Sequence, residues 1–388
     1  MNTTHRITPA LVLLTLTRLV VNTGHRLVSP FLPVIARGIG IPLEQAGTLV
    51  AARSAAQMAT PLIVGVSRRY DRRSVIQLGL AMFVLGSAVT AMLGTFTGVA
   101  AGFVLMGLGK AVFDVSGQAY LSDRTPYERR ARSLAIFETT WAGGFLVGAP
   151  AVGWMIAWKG WESAYLAIAI VLAVVLFATV RPLEADHTDM GERGRLSLDR
   201  SARWLLVVVA LFSFGSEMVA VVLGAWLEDD LAFAIGAIAG LAALIGVAEL
   251  VGASSTAAFT DRLGKRRSVA IGLIVGAVGY SGLALSAGAV AFGVVAALVT
   301  FAGFEFTIVS TFPLASEAVD GARARYLAWV VVAVGIGRTI AGYSGTRVFT
   351  SIGFEANATL AIVANLLALA ILLVMVAEPI GRPMAPPG

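Results

Sequence analysis

Long apolar runs recur along this chain, twelve of them, and they leave little choice of fold. They cover roughly residues 9–35, 44–66, 75–95, 98–121, 134–157, 163–181, 204–227, 232–258, 268–287, 290–315, 327–349 and 357–377. About 20 apolar residues cross about 30 Å of hydrocarbon as a helix. None of the runs alternates with the period of two that a barrel strand needs. Helices, which satisfy their own backbone groups in lipid, are the remaining solution. Only 13% of the residues are charged, against about 25% in a soluble domain, so a water-soluble core is excluded. The expected fold class is an all-α membrane protein of twelve transmembrane helices. The first run carries Arg18 and continues to Ile35 without a small-residue cleavage pattern. It reads as the first span and not as a removable leader.

Basic residues set the orientation. With the N-terminus inside, the inner segments hold clusters such as Arg68, Arg69, Arg72 and Arg73, then Arg124, Arg129, Arg130 and Arg132, then Arg262, Lys265, Arg266 and Arg267. The outer loops hold little beyond Arg37, Lys159 and Arg347. Both termini are therefore expected in the cytoplasm of a bacterial cell, with the spans in its inner membrane. The longest polar stretch follows span six. It divides the chain into an N-terminal six-helix bundle (1–181), a cytoplasmic linker (182–203) and a C-terminal six-helix bundle (204–388).

The two halves echo each other. Arg72-Arg73-Ser74-Val75 matches Arg266-Arg267-Ser268-Val269 at an offset of 194. Ala131-Arg132-Ser133-Leu134-Ala135 matches Ala324-Arg325-Tyr326-Leu327-Ala328 at an offset of 193. Agreement between separate polar loops indicates an internal repeat.

Twelve spans, a central linker and basic turns after spans two and eight resemble the major facilitator superfamily. The turn Asp261-Arg262-Leu263-Gly264-Lys265-Arg266-Arg267 is similar to that family's D-R-x-G-x-R-R signature loop, whose acid helps lock the cytoplasmic helix ends. The first-half turn departs from it: Arg68 stands at the acid position and Asp71 at the glycine position. Either Asp71, beside Arg72 and Arg73, supplies the acid from a shifted position, or the lock rests on Asp261 alone. Span five carries Gly144, Gly148, Pro150 and Gly153, which approximate the helix-packing motif of the family's drug/proton antiporters. Small residues four apart let helices approach closely, and Pro150 bends a helix by removing a backbone bond. Ordinary tight packing would give the same pattern. The resemblance implies two pseudo-symmetric six-helix bundles, each a pair of inverted three-helix repeats, with the site at the midplane between them.

Ionisable residues inside spans are expensive and usually face a cavity or a partner. Span one places Arg18, Asn22, His25, Arg26 and Ser29 along one helical face. Arg26, near the outer end, is also free to snorkel to the interface. Span two carries Arg53. Span four carries Lys110 and Asp114, four apart and able to pair locally. Glu138 opens span five, where it is expected to brace the inner loops, for instance against Arg132 or the basic turn. Glu217, Glu305 and Arg338 fall near mid-depth by count, and Glu249 falls lower, toward the cytoplasm. Arg18, Asn22, His25, Arg53, Lys110, Trp141 and Arg338 are the candidate substrate ligands. Desolvation penalises a charged carboxyl group, which makes Asp114, Glu217 and Glu305 the candidate proton carriers. Asp71, Arg72, Arg73, Glu138, Asp261, Arg262, Gly264 and Arg266 are the candidates for the cytoplasmic lock.

The chain has no Cys, no phosphate-binding loop and no hydrolase or zinc motif. No catalysis, cofactor, metal or nucleic-acid partner is expected. The partners expected are a small-molecule substrate, protons and the lipid bilayer, with a single chain sufficing. The leading reading is a proton-coupled exporter of small amphipathic or drug-like compounds. A carrier of an organic anion or metabolite is the alternative, and a non-transporting receptor or lipid-handling protein is a third.

Overall fold

The computed structural model describes residues 7–67, 70–125, 127–179, 183, 197–286, 288–319 and 322–378. Most of the linker expected at 182–203 lies outside them, as do Arg68, Arg69, Arg181 and Arg382. Span one is formed by α1 (Ile7–Arg26) and α2 (Val28–Ile39), and span two by α3 (Leu43–Gln57) and α4 (Thr60–Ser67). Spans three and four are α5 (Arg72–Leu93) and α6 (Phe96–Arg124). Span five contains the end of α7 (Tyr127–Glu138), then α8 (Thr140–Gly143), a π-helical turn at Gly144–Gly148 and α9 (Ala149–Lys159). Span six is α10 (Trp161–Ala178). Span seven is α11 (Arg200–Ala220), α12 (Leu223–Ala225) and a second π-helical turn at Trp226–Asp230. Spans eight to twelve are α13 (Ile235–Leu263), α14 (Lys265–Ala284), α15 (Val290–Glu317), α16 (Arg323–Ser351) and α17 (Phe354–Met375).

The molecule is all-helical among the described residues. Ten of its spans are long and apolar enough to cross a membrane as they stand. The other two, spans one and two, read as continuous runs but are each broken. Proline explains both breaks. Pro30 cannot bond to the carbonyl of Arg26 and Pro61 cannot bond to that of Gln57, and these are the residues at which α1 and α3 end. Pro150 likewise leaves the Leu146 carbonyl without its partner, inside the π-helical turn of span five. A wider turn at such a point is a common way to absorb the missing bond. Span seven breaks at Val221 without a proline, and that break lies 194 residues after the one at Leu27.

Apolar residues facing lipid are exposed, among them Leu62, Phe177, Val278 and Val374. The buried core is alanine- and glycine-rich, which lets helix backbones touch. A Cβ on Gly79 would lie 2.9 Å from the Gly109 carbonyl oxygen, and one on Gly109 would lie 2.7 Å from that of Gly79. Spans three and four therefore pack backbone to backbone.

Spans five and eight, and spans two and eleven, meet at the end opposite the basic turns. A Cβ on Gly153 would stand 2.6 Å from the Ala239 Cβ. A Cβ on Gly47 would overlap Thr346 and stand 2.6 Å from the Gly342 carbonyl oxygen. These contacts are repeat-related, since Thr346 follows Gly153 by 193 positions and Ala239 follows Gly47 by 192. Arg37 pairs with Glu228 at 2.8 Å, and Arg347 donates to Thr48 at 3.3 Å, at the same end. At the basic end, Ala135, Glu138 and Thr139 of span five and Ser254, Ala257 and Ala258 of span eight are exposed.

Candidate functional site

The charges of spans one, four and five form one connected network. Asp114 accepts from Arg18 Nε at 3.0 Å and from Lys110 Nζ at 2.6 Å. Arg18 also pairs with Glu138 at 2.9 Å and donates to the Phe137 carbonyl at 2.8 Å. Lys110 donates to Asn22 at 2.7 Å, and Asn22 donates to Thr140 at 3.1 Å. The local Lys110–Asp114 pair expected from their spacing is present. Two buried cations are thus set against Asp114 and the half-exposed Glu138. Glu138 braces Arg18 and accepts from Gln118 at 2.7 Å. The side chain of Arg132 lies outside the described residues.

Beside this network is a central cavity with about 40 Å³ open to the centre of a water molecule, room for roughly three waters. His25, Arg26 and Arg53 line it from spans one and two, Trp141 and Phe145 from span five, and Glu217 from span seven. Glu249, Phe301, Phe304 and Arg338 come from spans eight, ten and eleven. Of the seven expected ligands, His25, Arg53, Trp141 and Arg338 reach the cavity. Arg18, Asn22 and Lys110 sit behind it, tied up in the network.

Two lining residues, Arg26 and Glu249, are not among the expected ligands or proton carriers. Arg26 does not snorkel: its side chain is 5% exposed and forms a fork with Glu249, Nη1 to Oε2 at 2.5 Å and Nη2 to Oε1 at 2.5 Å. The guanidinium also donates to the Trp141 carbonyl and lies 3.5 Å from the centre of the Phe145 ring. Glu249 does not lie toward the end that carries the basic turns. Its helix continues to Leu263, which puts Glu249 at its middle.

The cations gather round one indole. The Trp141 ring centre lies 4.4 Å from Arg26, 5.5 Å from Arg338, 5.6 Å from Lys110 and 6.1 Å from the His25 ring. Such faces attract cations most strongly where water is excluded. Glu217 stands 3.7 Å from Arg338 Nε, beyond hydrogen-bond range. Glu305 adjoins the cavity wall at Phe304. It is buried and makes no ion pair or hydrogen bond among the described residues, while Glu249, Arg26 and Arg338 are among the charges that act on it.

Span five is held by its small residues. Gly144 and Gly148 lie against Asn22 and Thr23 of α1, and Gly153 faces Ala239 of α13. A Cβ on Gly246 would come within 2.6 Å of the Leu146 nitrogen. The motif thus seats span five between spans one and eight.

The basic turns make mostly local ties. Asp71 caps α5 by accepting from the Ser74 amide at 3.0 Å. Arg72 pairs with Asp123 at the end of α6 at 2.5 Å, and Lys265 pairs with Glu317 at the end of α15. Asp123 and Glu317 are 194 apart. Arg266 binds the Leu372 and Leu373 carbonyls, and its amide approaches Glu378. Gly264 adopts φ +89°, a conformation that favours glycine. Arg262 is exposed and Arg73 half-buried. The Asp261 side chain lies outside the described residues.

The family model of the Major Facilitator Superfamily matches residues 14–342. The chain belongs to the major facilitator superfamily. It is a multi-pass membrane protein. Among curated relatives, it is 24% identical to the uncharacterized MFS-type transporter YbcL of Bacillus subtilis over 65% of this chain and 66% of that one. It is 25% identical to the chloramphenicol resistance protein of Streptomyces lividans over 44% of each chain. The chain thus spans less than two thirds of the length of these relatives. The fold is similar to the xylose transporter XylE of Escherichia coli in a partially occluded inward-open conformation, with TM-score 0.81 and 15% identity over 98% of this chain and 100% of that one.

Proposed function

We propose that this member of the superfamily is a proton-coupled exporter of small amphipathic compounds in the bacterial inner membrane. In this reading 1–181 and 204–388 act as two bodies that rock about the cavity. Both termini and the basic turns are cytoplasmic. The ties at the opposite end then make the structure inward-facing.

The observation that carries the reading is Glu305. It is a buried carboxyl group beside the cavity without an ion-pair or hydrogen-bond partner among the described residues. An unpaired carboxylate is expensive in such surroundings, which suits a group that alternates between acid and carboxylate. Asp114, by contrast, is clamped between Arg18 and Lys110, which suits a structural role. The aromatic wall of Trp141, Phe145, Phe301 and Phe304 suits an amphipathic body. The name of the Streptomyces relative supports export over uptake.

A second reading, a carrier of an organic anion, is favoured by the arginine excess in the cavity. Proteoliposomes with an imposed pH gradient test the proposal. Compounds of the substrate class should collapse the gradient through the wild-type protein and not through Glu305→Gln. Proton movement unchanged in that variant would remove Glu305 from the mechanism. Silence across a broad panel of hydrophobic cations and organic anions would favour a non-transporting role.

A further inference from the structure

We infer that the cavity is built to hold the anionic group of its substrate, and that this substrate is an amphipathic organic acid. The inference rests on the proposed role of the cavity as the transport site and specifies the ligand's chemistry. Three nitrogens on cavity-lining residues are buried without a hydrogen-bond partner among the described residues: Arg53 Nε, Arg338 Nε and His25 Nδ1. They come from spans two, eleven and one. Buried polar atoms are nearly always satisfied, so the two guanidinium orphans, which can only donate, point to a ligand that supplies acceptors, while the imidazole nitrogen fits either role.

The charges agree with this. Three arginines and two glutamates line the cavity. Arg26 and Glu249 neutralise each other through their fork. That leaves Arg53 and Arg338 with Glu217 alone, and Glu217 makes no hydrogen bond to Arg338 at 3.7 Å. One positive charge remains in excess while Glu305, beside the cavity, carries its proton. A carboxylate pairs with a guanidinium through charge-assisted, often bidentate hydrogen bonds. Arg18 and Lys110 are not available for this, because Asp114 and Glu138 already neutralise them.

The size and shape of the ligand follow from the other walls. Trp141 and Phe304 flank Arg338 at 5.5 and 5.9 Å. An acid bound to Arg338 would lay its apolar body against those rings. The open volume is small, so a ligand of this size requires the cavity to widen.

The test is binding by the full-length protein in detergent, which needs no gradient. The probes are 2-naphthylacetate and 3-phenylpropionate, each paired with its primary amide, together with inorganic phosphate and tetraphenylphosphonium. The carboxylates should raise the melting temperature and their amides should not. Arg338→Gln should weaken carboxylate binding tenfold or more. That variant removes the cation facing Glu217 at 3.7 Å, so its unfolding midpoint without ligand is measured beside that of Arg338→Lys, which keeps the charge and should retain part of the affinity. Arg53→Gln also breaks the 2.5 Å bond to the His25 carbonyl, so it is paired with Arg53→Lys, which should recover part of the affinity. Trp141→Leu should weaken naphthylacetate more than phosphate.

Equal binding of acids and amides would overturn the inference. So would preference for tetraphenylphosphonium, or no response to either acid from folded protein. Stabilisation by phosphate alone would overturn the amphipathic part. Carboxylate binding without proton movement in liposomes would leave the anion site standing and sink the proposed coupling. Proton movement driven only by hydrophobic cations would do the reverse.

Discussion

Arg26 on α1 and Glu249 on α13 meet through two hydrogen bonds of 2.5 Å, both side chains at most 5% exposed. They join residues 223 positions apart. Two charges taken out of water hold together only when the geometry is good and the remaining donors are used. The geometry is good, since the fork is bidentate, and a third donor of Arg26 goes to the Trp141 carbonyl.

Removing one partner leaves the other buried and uncompensated. Glu249→Leu and Arg26→Leu should each destabilise the protein by about 3–5 kcal/mol. The double variant should regain most of that loss, because neither charge remains. Thermal and denaturant unfolding in detergent, arranged as a double-mutant cycle, measures the recovery. If the three variants lose stability additively, the pair is not a unit.

Glu305 is a different kind of carboxyl group. Glu305→Gln keeps the shape of the side chain and removes its proton exchange. Uphill transport driven by a pH gradient should fall to background, while exchange of labelled for unlabelled substrate across the membrane continues. Loss of both activities together would mean that Glu305 holds the structure or the substrate, not the proton.

Asp114 should behave as a clamp. Asp114→Asn leaves Lys110 and Arg18 facing each other with Glu138 as the sole remaining acid, and should cost about 3 kcal/mol. Lys110→Met combined with Asp114→Leu removes a matched pair and should be markedly more stable than Asp114→Asn. Unfolding midpoints of the three proteins decide this. Equal stability of Asp114→Asn and the wild type would return Asp114 to the list of proton carriers.

The difference between these carboxyl groups marks what the sequence can carry. Spacing of four on one helix announced the Lys110–Asp114 pair, because local geometry is fixed by the helix itself. Apolar length announced the spans for the same reason. Contacts between distant spans have no local signature. Arg26 and Glu249 were separated by depth counting, which assumed a span ending near residue 258, whereas α13 runs on to Leu263. The breaks at Gln57 and Leu27 were legible in principle, since Pro61 and Pro30 stand four residues beyond the carbonyls they orphan. The repeat offset located the basic turns, but which acid each turn would bind, Asp123 for Arg72 and Glu317 for Lys265, required the structure.

Gly47 offers a test of the rocking motion itself. A side chain there meets the Gly342 carbonyl oxygen at 2.6 Å, and a backbone atom cannot rotate away. Gly47→Val should therefore wedge apart spans two and eleven at the end opposite the basic turns and favour an outward-open form. The chain has no native Cys, so single cysteines report accessibility without background. Ala239→Cys is buried at the facing seam between spans five and eight. In the Gly47→Val protein it should react with a small maleimide several-fold faster than in the wild-type background. Ala135→Cys, exposed at the basic end, should react more slowly. The opposed changes distinguish rocking from simple loosening, which would speed both reactions. If neither rate moves in a folded variant, the seam at Gly47 is not part of the gate.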